Sequence, residues 1–285
     1  MRWVVCAVLL CAVASSAAAQ EFGPPLRGPE PITQPSYPHW GGFYFGGQTG
    51  YSSADADFSR STQSLLAYSL RGLTLEADAD PSSEPILGHG GADAAGYGGF
   101  VGYNVQWQEA ILGLEVNYTH SPFTATASNS AFLDRIYAIG SNSLTSVTEQ
   151  GTGSLEITDY ASLRLRAGWT FGNNFLPYAF GGLAVGRGSY SLTTLVYGQQ
   201  SSPVSPATPL LPCTPSPGTC LDYSFFNSAS GNDIFMYGYS VGAGVDVALA
   251  TNLFLRGEFE YVAFPEVQGI SVNIATARIG VGLKF

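Results

Sequence analysis

Beyond its first twenty residues the chain has no apolar run of roughly 18 residues, so hydropathy offers no membrane-spanning helix. Charge is scarce as well. Only 11% of the 285 residues are charged, with 11 Lys and Arg against 21 Asp and Glu. A chain this acidic has little with which to neutralise phosphates, so nucleic acid is not expected as a partner. The three histidines, His39, His89 and His120, are scattered, which leaves a histidine metal centre without ligands. Of the four cysteines, Cys6 and Cys11 lie near the N-terminus, leaving only Cys213 and Cys220.

What the chain has instead is glycine, 35 residues, and aromatic side chains at 13%. Arg2, an apolar stretch from Val4 to Val13 and the small residues Ala14 to Ala19 make a secretion signal over 1–19, with cleavage expected after Ala19. A lipoprotein reading through Cys11 is disfavoured by the bulky Leu10 before it. Loss of Arg2 leaves 10 Lys and Arg against 21 Asp and Glu, a net charge of −11. Residues 20–39, with Pro24, Pro25, Pro29, Pro31, Pro35 and Pro38, read as an extended periplasmic leader. A third region, 40–285, alternates.

Eight segments there show period-two patterning: Gly41–Ser53, Gly96–Gln106, Ala110–Ser121, Thr158–Phe171, Phe175–Leu192, Met236–Leu249, Leu253–Val262 and Ser271–Phe285. Three connections are short turns, at 107–109, 172–174 and 250–252, whereas 54–95, 122–157 and 193–235 are expected to be long loops. Short turns at one end and long loops at the other are the signature of a membrane β-barrel, which closes because lipid cannot satisfy an unpaired strand edge. The expected fold is therefore all-β, an eight-stranded antiparallel transmembrane barrel with long extracellular loops.

Aromatic placement supports this reading. Trp40, Phe43, Trp107, Trp169, Phe171, Phe175 and Phe285 fall at the short-turn end, and Tyr51, Tyr97, Tyr118, Tyr190, Tyr237, Tyr239, Phe259 and Tyr261 at the other. Two belts suit two membrane interfaces. One strand face is apolar, as in Leu112, Leu114, Val116, Leu163, Leu165, Val241 and Leu255. The opposite face carries Glu115, Arg164, Arg166, Asp246, Arg256, Glu258, Glu260, Arg278 and Lys284. In the strand over 175–192 the alternation is ambiguous, since Arg187 favours Leu183 and Val185 inside while Tyr178 and Phe180 look equally fit to face lipid.

The opening Trp40–Tyr51, the strand Pro177–Gly186 and the terminal Val281–Phe285 resemble the eight-stranded outer-membrane proteins of alpha-proteobacteria, the porin-family surface antigens. The resemblance implies the bacterial outer membrane as location, outer-membrane lipids and lipopolysaccharide as neighbours, and Phe285 as the signal read by the outer-membrane assembly machinery. It implies no cofactor and leaves any extracellular ligand open.

The candidate chemistry has two readings. An eight-stranded barrel is just wide enough for side chains to fill, so the inner charges form either a salt-bridge plug or the lining of a narrow or gated channel. Cys213 and Cys220 are expected to pair in the oxidising periplasm. The carboxylates of the first loop, Asp55, Asp57, Glu76, Asp78, Asp80, Glu84 and Asp93, lack calcium-loop spacing and are read as solvated surface. No catalytic residue and no metal ligand is assigned, because His120 and Ser121 point to opposite strand faces and Gly242-Ala-Gly244-Val-Asp246 has no helix after it. The strand glycines relieve crowding in a small barrel. The expected role is structural or surface interaction, covering envelope integrity with loop-mediated adhesion or ligand capture. The rivals are a small-solute porin and a soluble lipocalin-like binder, the latter wanting an apolar interior.

Overall fold

A computed structural model describes residues 39–129, 133–139, 143–172, 174–201 and 220–285. The expected signal segment, the leader as far as residue 38 and Cys213 lie outside them. Among the described residues nine strands form: β1 (Gly42–Asp57), β2 (His89–Trp107), β3 (Ala110–Ser128), β4 (Leu133–Ile139), β5 (Ser143–Trp169), β6 (Phe175–Ser201), β7 (Cys220–Ala248), β8 (Leu253–Val267) and β9 (Ile270–Lys284). Eight of them close into a ring in the order β1-β2-β3-β5-β6-β7-β8-β9, with β9 pairing back onto β1 from Tyr44↔Lys284 to Asp57↔Ser271. Among the described residues all pairings are antiparallel, and β4 pairs only with β5. The closing seam is tight at its base. The Phe285 N–H donates to the Phe43 carbonyl at 2.8 Å, and a Cβ on Gly42 (φ 116°) would stand 2.2 Å from the Phe285 carbonyl oxygen.

The strands run well past the membrane, which corrects the expected loops. A spanning strand needs about 9–11 residues. Here β5 and β6 have 27 each and β7 has 29, so much of 122–157 and 193–235 is strand. Above the membrane their inner face carries Val147, Leu155, Leu192 and Val196 together with buried Thr145, Glu149 and Thr194, while their outer face turns to Ser and Thr, since water replaces lipid there. The sequence pattern breaks where the ladder slips. Between Asp159 and Ile157 the register shifts, and the inward set of β5 changes from Arg166, Arg164, Ser162 and Tyr160 to Ile157, Leu155 and Val147. A second slip, opposite Gly188 and Tyr190, divides β7 near Asp233, whose φ is 53°. A bulge re-aims a side chain, and the alternation cannot be read across it.

The connection from β1 to β2 is not an open loop either. Helix α1 (Gln63–Leu70), helix α2 (Thr74–Ala79) and a 3₁₀ turn at Pro81–Ser83 fold into the outer part of the barrel. Leu66 and Leu70, one helical turn apart, are fully buried, and so are Phe58 and Leu75. They join Ile86 and Leu87 in one core with Ala54, Phe123, Leu155, Leu192, Met236, Phe264 and Ile274, inward residues of the surrounding strands. The strands make room for this insert. A Cβ on Gly153 would meet the Phe58 ring at 2.8 Å, and one on Gly151 would meet Ile86 at 2.8 Å.

The belts are largely placed as the pattern demands. Phe43, Trp107, Trp169, Phe171, Phe175 and Phe285 are exposed at the turn end, and Tyr51, Tyr97, Tyr118, Tyr237, Tyr239, Phe259 and Tyr261 at the other. Two expected members are not in the belts. Trp40 turns inward and is buried against Phe254, and Tyr190 packs against the apolar core. The ambiguity of β6 resolves with Tyr178 and Phe180 inside, while Leu183 and Val185 face out.

Candidate functional site

The lower lumen is filled by the strands' own charged side chains. Glu115 lies at its centre: Arg164 contacts it directly, the Arg256 guanidinium donates to it at 2.8 Å, Arg166 at 3.3 Å and the Tyr44 hydroxyl at 2.7 Å. Asp246 accepts from Arg166 at 2.7 Å and from Arg256 Nε at 2.9 Å. Glu258 accepts from Arg164 and from the Tyr178 hydroxyl, both at 2.8 Å. Glu260 contacts Arg278 directly and accepts from Arg164 at 3.3 Å. Arg278 also donates to Asn117 Oδ1 at 2.8 Å. Four arginines thus meet four carboxylates, and all eight are buried. Lys284 stands apart, donating to the His39 carbonyl at 3.1 Å over the Trp40 ring.

Local sequence explains how so many long side chains fit. Glu115 sits opposite Gly102, Arg164 opposite Gly182, Arg166 opposite Gly113, Arg256 opposite Gly280, Glu258 opposite Gly244, Glu260 opposite Gly242 and Arg278 opposite Gly50. Each of these seven charges faces a strand position with no side chain, while Asp246 lies between Leu176 and Arg256. At Gly182 the allowance is absolute, because a Cβ would lie 2.0 Å from the Leu163 carbonyl oxygen. Aromatic rings complete the packing: Arg256 lies 3.9 Å from the Phe100 ring centre, Arg166 3.8 Å from Tyr178 and Arg164 4.1 Å from Phe180. The sequence pattern found the charges and missed these partners, whose signal was the inward register of Tyr44, Phe100, Tyr178 and Phe180.

Below the charges Trp40, Tyr44, Phe100, Ile111, Leu176 and Phe254 form an apolar floor. Above them Gln48, Asn117, Thr119, Ser52, Thr276 and Tyr160 make a hydrogen-bonded layer, in which Ser52 and Tyr160 each stand 3.0 Å from the Thr276 hydroxyl. A cavity of about 10 Å³ beside Gln48, Ser52, Thr119, Thr276 and Arg278 has room for one water. The apolar insert then begins.

The other candidate residues lie elsewhere. At the outer mouth His89 Nδ1 is 3.1 Å from Asp55 Oδ1, and this bond, with Asp57 nearby, raises the His89 pKa above its ordinary 6.5. The Asp57 carboxyl is held low by the Ser59 hydroxyl and N–H. Of the first-loop carboxylates, Glu76 accepts from the buried Ser82 hydroxyl, and among the described residues no three His, Cys, Asp or Glu side chains gather as a metal site. His120 meets Tyr97 outside the barrel in a tilted ring contact, centroids 5.2 Å apart, while Ser121 is buried inside it. Phe285 stacks on Phe45 at 5.8 Å on the outer surface.

A closed antiparallel ring with an apolar outer band, two aromatic belts and a polar lumen defines a transmembrane β-barrel. The model of the outer membrane protein beta-barrel domain family matches residues 4–285, and the chain belongs to that family. Its place is the bacterial outer membrane. No relative is found among curated proteins. Among solved structures it is similar to Ail, the attachment invasion locus protein of Yersinia pestis, with 10% identity, 86% of this chain and 99% of that chain covered, and a TM-score of 0.35. OprG from Pseudomonas aeruginosa gives 12% identity, 87% and 97% coverage and a TM-score of 0.38. Neisserial surface protein A gives 14%, 85% and 97%, and 0.33.

Proposed function

We propose that this protein is a closed outer-membrane barrel whose role is structural and surface-directed, supporting envelope integrity and presenting its outer extension to extracellular ligands. The carrying observation is the double filling of the lumen. Eight paired charges fill the lower half and a folded insert fills the upper, and the void beside Gln48 and Arg278 is water-sized. A small-solute porin needs a continuous water path, which this packing opposes. An enzymatic role finds no support in His120 and Ser121, which lie on opposite faces. Outer-membrane lipid, lipopolysaccharide and the assembly machinery that reads Phe285 complete the proposed set of partners, with Cys213 and Cys220 paired by a disulfide.

Planar-bilayer recording on the refolded wild type tests this reading. Silence at moderate voltage is expected, and steady ohmic conductance would replace it with the porin. A surface tag at Gly72, which is exposed with open space around it, should be reached by antibody on intact cells. Labelling only after the outer membrane is broken would invert the assigned topology.

A further inference from the structure

Strand β7 is paired on one side along nearly its whole length and on the other side only near its base. Its partner β6 follows it from Ser201↔Cys220 to Phe175↔Val247, whereas β8 reaches only from Ala248 up to Tyr239. Among the described residues, Leu221–Gly238 have no strand on that second side. They carry a row of backbone donors and acceptors above the membrane. Such edges are usually blunted by Lys, Pro or a bulge, yet Leu221–Gly238 contain no Lys, Arg or Pro, and the bulge waits until Asp233.

An independent feature lies against this edge. A groove of about 460 Å³ runs between the α1–α2 turn and β7, lined by Tyr68, Arg71, Leu73, Phe225, Phe226 and Asn227. Phe226 is 68% exposed. The Arg71 guanidinium stacks 3.9 Å from the Tyr68 ring centre and pairs with no carboxylate among the described residues. The insert reaches β7 through side chains, as where Asn227 Nδ2 donates to the Ser69 hydroxyl at 2.6 Å, and so leaves the strand's backbone groups available.

We propose that the free edge of β7, over Leu221–Gly231, is a strand-addition site for an extended peptide segment of an extracellular protein. An apolar residue of that segment enters the groove and a carboxylate meets Arg71. Main-chain pairing supplies affinity in this mode and side-chain pockets supply specificity. Two other occupants fit less well. The connection 202–219 carries six prolines, which lack the N–H that pairing requires. A second copy in the same membrane, related by a two-fold along the membrane normal, would cross strands tilted by about 35–45° at roughly 70–90°, far from the 20–25° between paired strands.

This inference rests on the surface-directed reading above and names its partner class. A displayed library of 12-residue peptides, selected on the refolded barrel in lipid nanodiscs, supplies the probes, and amide hydrogen exchange locates them. Enriched peptides should combine β-branched or aromatic residues with Asp or Glu. They should slow exchange at least tenfold at alternate amides of Leu221–Gly231, which exchange fast in the free barrel. Arg71→Glu, at an exposed turn, should keep the heat-modifiable fold and weaken binding at least tenfold. Absence of enriched peptides, binding without protection of these amides, protection already present in the free barrel, or a dimer that hides them in sedimentation would each overturn the edge site. The surface-directed reading stands or falls separately, on wild-type conductance.

Discussion

The lower and upper halves of this barrel are filled by opposite chemistry. Below, eight inward charges pair across the lumen, all but Asp246 opposite a glycine. Above, the core is Phe58, Leu66, Leu70 and Leu75 from the insert against Leu155, Phe264 and Ile274 of the wall. The lower half lies at membrane depth, where a mispaired charge is expensive and pairing is strongly enforced. The upper half stands in water, where an ordinary hydrophobic core is stable. One cylinder thus holds a membrane-protein interior and a soluble-protein interior end to end.

If the lower half is one coupled network, breaking its centre should have the largest effect. Glu115→Gln removes the charge shared by Arg164, Arg166 and Arg256 and should cost about 3–5 kcal/mol in urea unfolding of the refolded barrel in detergent. Leu70→Ala in the insert should cost about 2–5 kcal/mol, as a buried large-to-small change. The two changes should add when combined, because they share no partner, and strong non-additivity would erase the distinction between the halves. On the lipid face Leu165→Val, at a residue 63% exposed, should change stability by less than about 1 kcal/mol.

The smallest effect belongs to the mouth. His89 has a folded-state pKa above 6.5, chiefly through its bond to Asp55. Its link therefore contributes fully below about pH 6.5 and fades as pH rises through the elevated value. Nuclear magnetic resonance should place its titration midpoint above 6.5, moving back toward that value in Asp55→Asn. An unshifted wild-type midpoint would remove the link. High salt should weaken it, since both groups are exposed.

The same division separates what the sequence made legible from what it hid. The charged face was readable because Arg164 and Arg166, or Glu258 and Glu260, recur at period two inside strands whose other face is apolar. The upper walls were hidden by the slips at Asp159 and Asp233, where the inward parity of β5 and β7 changes. For that reason the period-two pattern of these strands extends only as far as Thr158 and Met236. The insert was hidden because its carboxylates, Glu76, Asp78 and Asp80, dominated a segment in which only Leu66 and Leu70 sit one turn apart, Leu75 lying on the second helix. Its helices are too short to declare themselves without the barrel around them.

The central claim is that the charged layer closes the lumen by itself, with the apolar insert a second and independent filling. Single-channel recording on a barrel whose residues 59–87 are replaced by a short Gly-Ser linker tests it most directly. The account predicts a folded, heat-modifiable barrel that remains silent, because Arg164, Arg166, Arg256 and Arg278 still meet Glu115, Asp246, Glu258 and Glu260. Discrete, ion-selective openings in that variant would contradict it, showing that the insert is the seal and the charges are the lining of a channel.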